Sequence, residues 1–385
     1  MIKPADRINS VEEYYFSVKL KQIDKMRARG KDVINLGIGS PDRAPAPEVI
    51  ETLNAAAKQD NVHGYQSYIG IPALRNGFAA WYKRSYNVEL DAESEVLPLM
   101  GSKEGIMHIS MAFLNPGDEV LVPNPGYPTY SAVTNLVGAK AHFYELKESN
   151  SWQPDLAAIE REDLSKVKLM WLNYPNMPTG APADRAVMER VIAFGKKHNI
   201  VICNDNPYSF ILNPEPSSIL SVEGAKDIAI ELNSLSKSHN MAGWRIGVVA
   251  GRQEYLDYLV RFKSQMDSGM FKPMQLAAAA ALEAGPEWYE ELNKIYRERR
   301  EVVYELLDTL ECTYSRDQCG LFVWARIAQG EESGRDLSER ILQDQRVFLT
   351  PGFIFGPQGD QFIRVSLCQN VTTIREALAR IQSEL

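Results

Sequence analysis

Short apolar runs recur through the middle of the chain and alternate with amphipathic stretches of helix length. The apolar runs occupy residues 120–122, 167–173, 200–204, 228–233 and 246–250. Runs of this length are typical of strands that are buried on both faces. The stretch from Arg185 to His198 repeats apolar residues at helical spacing. This alternation predicts an α/β fold, with a mostly parallel, helix-covered sheet in a large domain over residues 46–280.

The two ends of the chain have a different, helix-rich pattern. Ser10 and Glu13 have the spacing of a capping box, which predicts a helix running to about Gly30 and then a short extended segment at 33–39. Further helices are expected at residues 287–310, 337–344 and 372–383. We therefore predict a smaller α+β domain that is built from residues 1–45 and 281–385.

Polar residues stand where three of the predicted strands end. Asn173, Asp205 and Ser234 each lie at or just past the end of an apolar run. The carboxyl ends of parallel strands meet at one edge of the sheet, which is where ligands bind in open α/β folds. We expect these three side chains to converge on one crevice.

Composition and charge exclude several classes of function. The chain has 50 acidic and 42 basic residues, a net charge of −8 and no basic run, so we expect no nucleic-acid partner. No apolar run reaches the roughly 18 residues of a membrane span, and no signal peptide is evident. The four cysteines have neither metal-binding spacing nor the density of a disulfide scaffold. These features predict a cytoplasmic protein without a membrane or metal site.

The segment at residues 233–247, NSLSKSHNMAGWRIG, combines hydroxyl groups with two cations. Ser234 and Ser236 precede Lys237, and Arg245 follows eight positions later. Hydroxyl donors beside an ammonium and a guanidinium group suit a phosphorylated ligand. The alternative is an ordinary polar surface loop, and the segment alone does not decide between the two.

This segment resembles the cofactor-lysine signature of the class I aminotransferases, which have fold type I of the pyridoxal-phosphate enzymes. Other segments resemble that family in the same order along nearly the whole chain. They are NLGIGSPD at 35–42, HGYQSYIGIPALR at 63–75, GSKEG at 101–105, FLNPGDEV at 113–120, NPGYPTY at 124–130, YPNMPTG at 174–180, Asp205 with Tyr208, and RVSL at 364–367.

The resemblance implies pyridoxal 5'-phosphate as cofactor and a two-stage transfer of an amino group between an L-amino acid and a 2-oxo acid. Lys237 would carry the cofactor as a Schiff base and then move the proton at the substrate α-carbon. Asp205 would keep the pyridine nitrogen protonated, because a nearby carboxylate favours the charged form. Tyr208 would donate to the phenolic oxygen, and Tyr127 would stack on the ring.

The resemblance also assigns the remaining binding residues. Gly39 and Arg364 would bind the substrate α-carboxylate, which suits the two-pronged geometry of a guanidinium group. Tyr65 would reach the cofactor phosphate from a neighbouring subunit, which implies a homodimer. Within the subunit the phosphate would be bound by Ser102, Lys103, Ser234, Ser236 and Arg245.

One position departs from the family pattern. An asparagine that binds the phenolic oxygen normally stands directly before Pro-Thr-Gly, but Met177 occupies that position here and Asn176 precedes it. Either Asn176 is shifted into this role or the hydrogen bond is absent, a loss of about 1 kcal/mol.

The substrate and two alternative functions stay open at this level. No second arginine is evident near residues 266–275 to bind a dicarboxylate, so we expect a broad or neutral amino donor, with 2-oxoglutarate or pyruvate as acceptor. A carbon–sulfur β-lyase or a related synthase is an alternative, since one fold supports several reactions. A non-catalytic ligand sensor is another alternative. It would need an attached DNA-binding domain, but the family-like segments already begin within the first 40 residues.

Overall fold

A seven-stranded sheet forms the centre of the structure, a computed structural model that describes residues 2–383. The strand order is β2-β8-β7-β6-β5-β3-β4, and the strands from β7 to β4 are parallel. Only β8 within this sheet runs antiparallel to both of its neighbours. The strands are β2 (Val96–Leu99), β3 (Glu119–Asn124), β4 (Lys140–Glu145), β5 (Val167–Leu172), β6 (Val201–Asp205), β7 (Ala229–Ser234) and β8 (Gly247–Gly251).

Helices cover both faces of this sheet and bury its apolar side chains in two clusters. Trp81 and Phe78 belong to the cluster on one face, and Trp171 and Ile109 belong to the other. The helices of this part are α2 (Pro47–Ala56), α3 (Pro72–Tyr86), α4 (Ser102–Phe113), α5 (Thr129–Leu136), α6 (Leu156–Ile159), α7 (Arg185–His198), α8 (Leu235–Ser238), α9 (Gln253–Lys263) and α10 (Lys272–Ala281).

A third apolar cluster joins the two ends of the chain. It contains Ile23 and Leu36 from the N-terminal part and Tyr296 and Ile374 from the C-terminal part. Its helices are α1 (Tyr15–Ala28), α11 (Pro286–Thr309), α12 (Gly334–Asp344) and α13 (Val371–Gln382). Its strands form the antiparallel sheet β11-β12-β9 and the parallel pair β1-β10, with bounds β1 (Ile34–Asn35), β9 (Phe322–Arg326), β10 (Val347–Phe348), β11 (Thr350–Pro351) and β12 (Phe362–Ser366).

The predicted fold class is confirmed: the five apolar runs are β3, β5, β6, β7 and β8, and the helix from Arg185 to His198 is α7. The predicted helix start at Ser10 is wrong. Residues Asp6–Ser10 form a 3-10 turn, and the Ser10 hydroxyl donates to the Arg7 carbonyl oxygen instead of capping a helix. The helix begins at Tyr15, without a side-chain cap. Within residues 2–383 no helix is both long and apolar enough to cross a membrane.

Candidate active site

A cavity of about 350 Å³ lies at the carboxyl ends of β5, β6 and β7. Asn173, Asp205 and Ser234 all line it, as the strand ends predict. The family resemblance assigns a role to thirteen residues, and eleven of them are brought together here: Gly39, Ser102, Lys103, Tyr127, Asp205, Tyr208, Ser234, Ser236, Lys237, Arg245 and Arg364.

Lys237 sits on α8, the short helix that follows β7. The side chain of Ser234 begins this helix by accepting from the Ser236 N–H at 3.1 Å. The Lys237 ammonium group donates to the carbonyl oxygen of Gly39. Burial lowers the pKa of Lys237, and the nearby cations Arg364 and Arg245 lower it further. A lysine with a lowered pKa becomes a neutral, nucleophilic amine more easily than an ordinary surface lysine.

Asp205 ends β6 as a buried carboxyl group with one free oxygen. Its Oδ2 accepts from the Tyr130 hydroxyl at 2.9 Å, while its Oδ1 is buried and makes no hydrogen bond. Asn173 donates to the Asp205 carbonyl oxygen and so holds the end of β6. Burial raises the pKa of Asp205 to about 7, although the Tyr130 hydrogen bond opposes the shift. An open buried carboxylate oxygen is costly and calls for a donor in the cavity.

Two tyrosines form part of the cavity wall near this carboxyl group. Tyr208 is buried, and burial raises its pKa well above the ordinary value, so its hydroxyl is a donor at neutral pH. Tyr127 packs edge to face against Tyr130, with ring centroids 5.5 Å apart. Burial raises the pKa of Tyr127 as well, so both hydroxyl groups are protonated at neutral pH and can donate to an acceptor oxygen.

The start of α4 forms one end of the cavity and concentrates positive charge there. Ser102 and Lys103 are its first two residues, so their backbone N–H groups lie at a helix N-terminus, where anions are favoured. Burial lowers the pKa of Lys103, and Arg245 lowers it further through charge repulsion. Ser234 and Ser236 line the same cavity, with their hydroxyl oxygens 2.8 Å apart.

Glycines allow this end of the cavity to close. A Cβ atom on Gly101 would lie 2.2 Å from an Arg245 side-chain nitrogen, and its φ of +84° disfavours other residues. A Cβ atom on Gly247 would lie 2.5 Å from the backbone nitrogen of Ser102. Contact between β8 and the start of α4 thus requires a residue without a side chain.

Arg364 is a buried cation without an anionic partner among the described residues. It lies on β12, donates to the Gly37 carbonyl oxygen at 2.8 Å and contacts the Met177 sulfur at 3.1 Å. Its Nε is buried and makes no hydrogen bond. Burial lowers the pKa of Arg364 to about 10, which leaves the group charged at neutral pH. A buried guanidinium group in this state is a binding site for a carboxylate.

Two residues singled out in the sequence do not line the cavity. Asn176 is buried, donates to the Asn173 carbonyl oxygen and accepts from Thr179, so its amide group is already satisfied away from the cavity. Of the two alternatives left open by the sequence, this placement favours the absence of a hydrogen bond from Asn176 to the cofactor. Tyr65 is 95% exposed and does not line the cavity.

Several wall residues had no signal in the sequence. Tyr14 and Phe16 come from the start of α1, where the sequence predicted only a helix interior. Tyr130 belongs to a quoted motif, but its contact with Asp205 follows only from the fold. Residues Ile38, Phe322 and Phe355 complete the wall from distant parts of the chain.

A cluster of metal-ligand types lies next to α4, outside the cavity. The ligand atoms of Glu104, His108 and Asp267 lie within 4.8 Å of one another. The Lys263 ammonium group donates to both oxygens of Asp267, at 2.7 and 2.8 Å. The protein therefore already supplies a cation at this point, and the cluster gives no reason to invoke a metal.

An open, mostly parallel sheet with a lysine, a buried carboxyl group and two arginines beyond its strand ends defines a transferase of fold type I. Residues 31–381 match the family "Aminotransferase class I and II", and the chain belongs to this family. It is an enzyme that transfers amino groups between amino acids and 2-oxo acids, as predicted.

Relatives and solved structures agree with this assignment. The chain is 42% identical to LL-diaminopimelate aminotransferase of Oleidesulfovibrio alaskensis over 98% of both proteins. It is 37% identical to the apo structure of BacF from Bacillus subtilis, with a TM-score of 0.95 over 100% of this chain and 98% of that one. A mutant aspartate aminotransferase of Thermus thermophilus is 25% identical, with a TM-score of 0.92 over 100% of both chains.

Proposed function

We propose that this aminotransferase uses pyridoxal 5'-phosphate and that Lys237 is the residue that carries it. The observation that supports this most directly is the joint placement of Lys237, the open oxygen of Asp205 and the unpaired guanidinium group of Arg364 in one cavity. An ordinary structural lysine would not need the other two groups beside it.

The donor set fits the three chemical features of this cofactor. The open Oδ1 of Asp205 suits a protonated pyridine nitrogen. Lys237 suits the aldehyde, because a primary amine with a lowered pKa attacks carbonyl groups. The phosphate fits the positive end of the cavity formed by Ser102, Lys103, Ser234, Ser236 and Arg245. When bound, the cofactor supplies an electron sink for the bonds of the substrate α-carbon.

The residues of the chain orient the substrate and move its proton. Arg364 binds the α-carboxylate, and Gly39 lies close enough to Lys237 to help place the same group. Lys237, once free, takes the proton from the substrate α-carbon as a neutral amine, which burial favours. Tyr208 and Tyr127 both line the cavity. Tyr208 would donate a hydrogen bond to the phenolic oxygen of the cofactor, and Tyr127 would pack against its ring.

The second subunit of a homodimer completes this site. Tyr65 is 95% exposed, and Tyr68, Met266 and Phe271 are also exposed apolar residues. Gly269 lies against the carbonyl oxygens of Gln66 and Ser67, so these residues form one continuous surface. A second copy seated on this surface would receive Tyr65 at its phosphate end. This arrangement explains why a large tyrosine stands almost fully in solvent.

We also propose the domain boundaries from the apolar clusters and the cellular compartment from the cysteines. Residues 46–280 supply most of the two clusters on the large sheet, and residues 1–45 and 281–385 supply most of the third. The four cysteines are buried free thiols, which suits the reducing cytoplasm.

An absorbance experiment tests the proposal. Purified protein reconstituted with pyridoxal phosphate is expected to show an absorption band that L-amino acids convert to that of the aminated cofactor. A Lys237→Ala variant should lose this conversion, while a Lys168→Ala variant, changed at an exposed lysine on β5, should keep it. A band that forms but resists every amino acid would contradict aminotransfer, and the absence of any band would contradict the cofactor.

A further inference from the structure

The charged groups of the cavity are all engaged by the chemistry already described. They are Lys103, Asp205, Lys237, Arg245 and Arg364. The first four serve the proposed cofactor, and Arg364 serves the α-carboxylate. Among the described residues that line the cavity, no charged group is left for the side chain of the substrate.

Four of the other lining residues carry aromatic rings, and we call them the aromatic wall: Tyr14, Phe16, Phe322 and Phe355. The Arg364 guanidinium carbon lies 3.7 Å from the ring centre of Phe322, 4.7 Å from that of Phe355 and 5.5 Å from that of Phe16. The aromatic wall therefore surrounds the point where the α-carboxylate binds. Aromatic surface is thus concentrated beside the group that is proposed to bind the α-carboxylate.

The wall is fixed by packing and does not move aside easily. Phe16, Phe322 and Phe355 are buried in the apolar cluster that joins the two ends of the chain. A Cβ atom on Gly39 would lie 2.2 Å from Phe322, so the loop at Gly39 closes directly on this ring. At the other end of the wall, the Lys103 ammonium group lies 4.8 Å from the ring centre of Tyr14.

We infer that the amino donor is an L-amino acid with a large neutral side chain, aromatic amino acids foremost, and that LL-diaminopimelate is a poor donor. The inference rests on the proposed function and specifies its substrate. Apolar rings favour a side chain that leaves water and packs edge to face or offset against them. Diaminopimelate ends in a second ammonium and a second carboxylate, and the rings of the aromatic wall carry no charge to pair with them. The two cations that contact these rings, Lys103 and Arg364, are assigned to the phosphate and to the α-carboxylate.

The donor half-reaction tests the inference without knowledge of the acceptor. Cofactor-loaded enzyme is mixed with phenylalanine, alanine, aspartate or LL-diaminopimelate, and conversion of the absorption band is followed in time. We expect the second-order rate constant for phenylalanine to exceed those for aspartate and LL-diaminopimelate by at least about 100-fold. A higher rate constant for LL-diaminopimelate would overturn the inference and would indicate polar groups supplied by the partner subunit.

This design separates the two levels of the proposal. Conversion by LL-diaminopimelate alone would contradict the proposed substrate class but would still support the cofactor and the role of Lys237. If no donor converts the absorption band, the proposed function itself is contradicted.

A pair of matched variants tests the aromatic wall directly. Phe16→Leu removes a ring from the wall but keeps an apolar residue in the cluster, and Phe143→Leu makes the same change at a half-exposed site on β4. We expect Phe16→Leu to lower the ratio of the phenylalanine to the alanine rate constant by about 3- to 10-fold. Phe143→Leu should leave the ratio as it is. An unchanged ratio in both Phe16→Leu and Phe322→Leu would contradict contact between the wall and the donor.

Discussion

Burial controls the charge of the individual residues in this site. It raises the pKa of Asp205 and lowers those of Lys237 and Arg364. In each case the neutral form is favoured, because a charge loses hydration in the cavity. The site is thus prepared for a ligand that supplies a cation to Asp205 and an anion to Arg364.

The carboxyl group of Asp205 should make the stability of the cofactor-free protein depend on pH. Its pKa is about 7 in the folded chain against an ordinary 3.8, so between these values the folded chain binds a proton that the unfolded chain has lost. The stabilisation is complete below pH 4 and is lost as the pH rises through 7. The shift corresponds to at most about 4 kcal/mol.

Urea unfolding of the wild type and Asp205→Asn between pH 4 and 8 measures this contribution. The free energy of unfolding of the wild type should fall relative to that of the variant as the pH rises. Other titrating groups are common to both proteins and cancel in the difference. A difference that is independent of pH would show that Asp205 is already ionised in the folded chain.

At the scale of elements, close contact between β8 and α4 places the cationic end of the cavity. Gly247 begins β8, and its α-carbon faces the Ser102 nitrogen at the start of α4. A methyl group here would push the helix N-terminus away from Ser234 and Arg245. Gly251 ends the same strand, and a Cβ atom there would make only ordinary contacts, the nearest at 3.4 Å.

We therefore expect Gly247→Ala to weaken pyridoxal-phosphate binding by at least about tenfold, because the displaced helix end supplies several of the proposed contacts to the phosphate. Gly251→Ala should bind as tightly as the wild type. Fluorescence or absorbance titration of the cofactor-free proteins gives both dissociation constants. Equal affinities for the two variants would contradict the role of this contact.

The central strands could be predicted because parallel strands buried on both faces are continuously apolar. β2 and β4 were not predicted from the sequence: β2 contains a proline, and β4 lies at the sheet edge, where Tyr144 is its one buried residue. Two strands of the C-terminal part, β10 and β11, are only two residues long, so no local pattern marks them.

The site could be predicted where its residues follow strand ends or lie in family-like segments, as Asp205 and Lys237 do. The aromatic wall could not. Phe16 and Phe355 meet only because the two ends of the chain share one apolar cluster. The position of Asn176 outside the cavity could not be predicted, because its hydrogen bonds with Thr179 do not follow from the residue types alone.

At the scale of the whole molecule, the position of Tyr65 predicts sites that are shared between subunits. Mixing Tyr65→Ala with Lys237→Ala subunits should regenerate one complete site in each mixed dimer, since one subunit provides Lys237 and the other Tyr65. With random exchange, about a quarter of the wild-type activity per site is expected, because half of the dimers are mixed.

Activity after subunit exchange, compared with each variant alone, gives this fraction. The two variants must first be shown to be weakly active when unmixed. If the activity of the mixture equals the mean of the two unmixed variants, Tyr65 does not contribute to the site of the other subunit.

Mapping the site of covalent attachment shows which lysine carries the cofactor. Borohydride reduction of the protein loaded with pyridoxal phosphate, followed by peptide mass analysis, identifies the lysine that holds the cofactor. We predict a single modified residue, Lys237. Modification of Lys103, the other lysine that lines the cavity, or of no lysine at all, would contradict the assignment of Lys237 as the cofactor carrier.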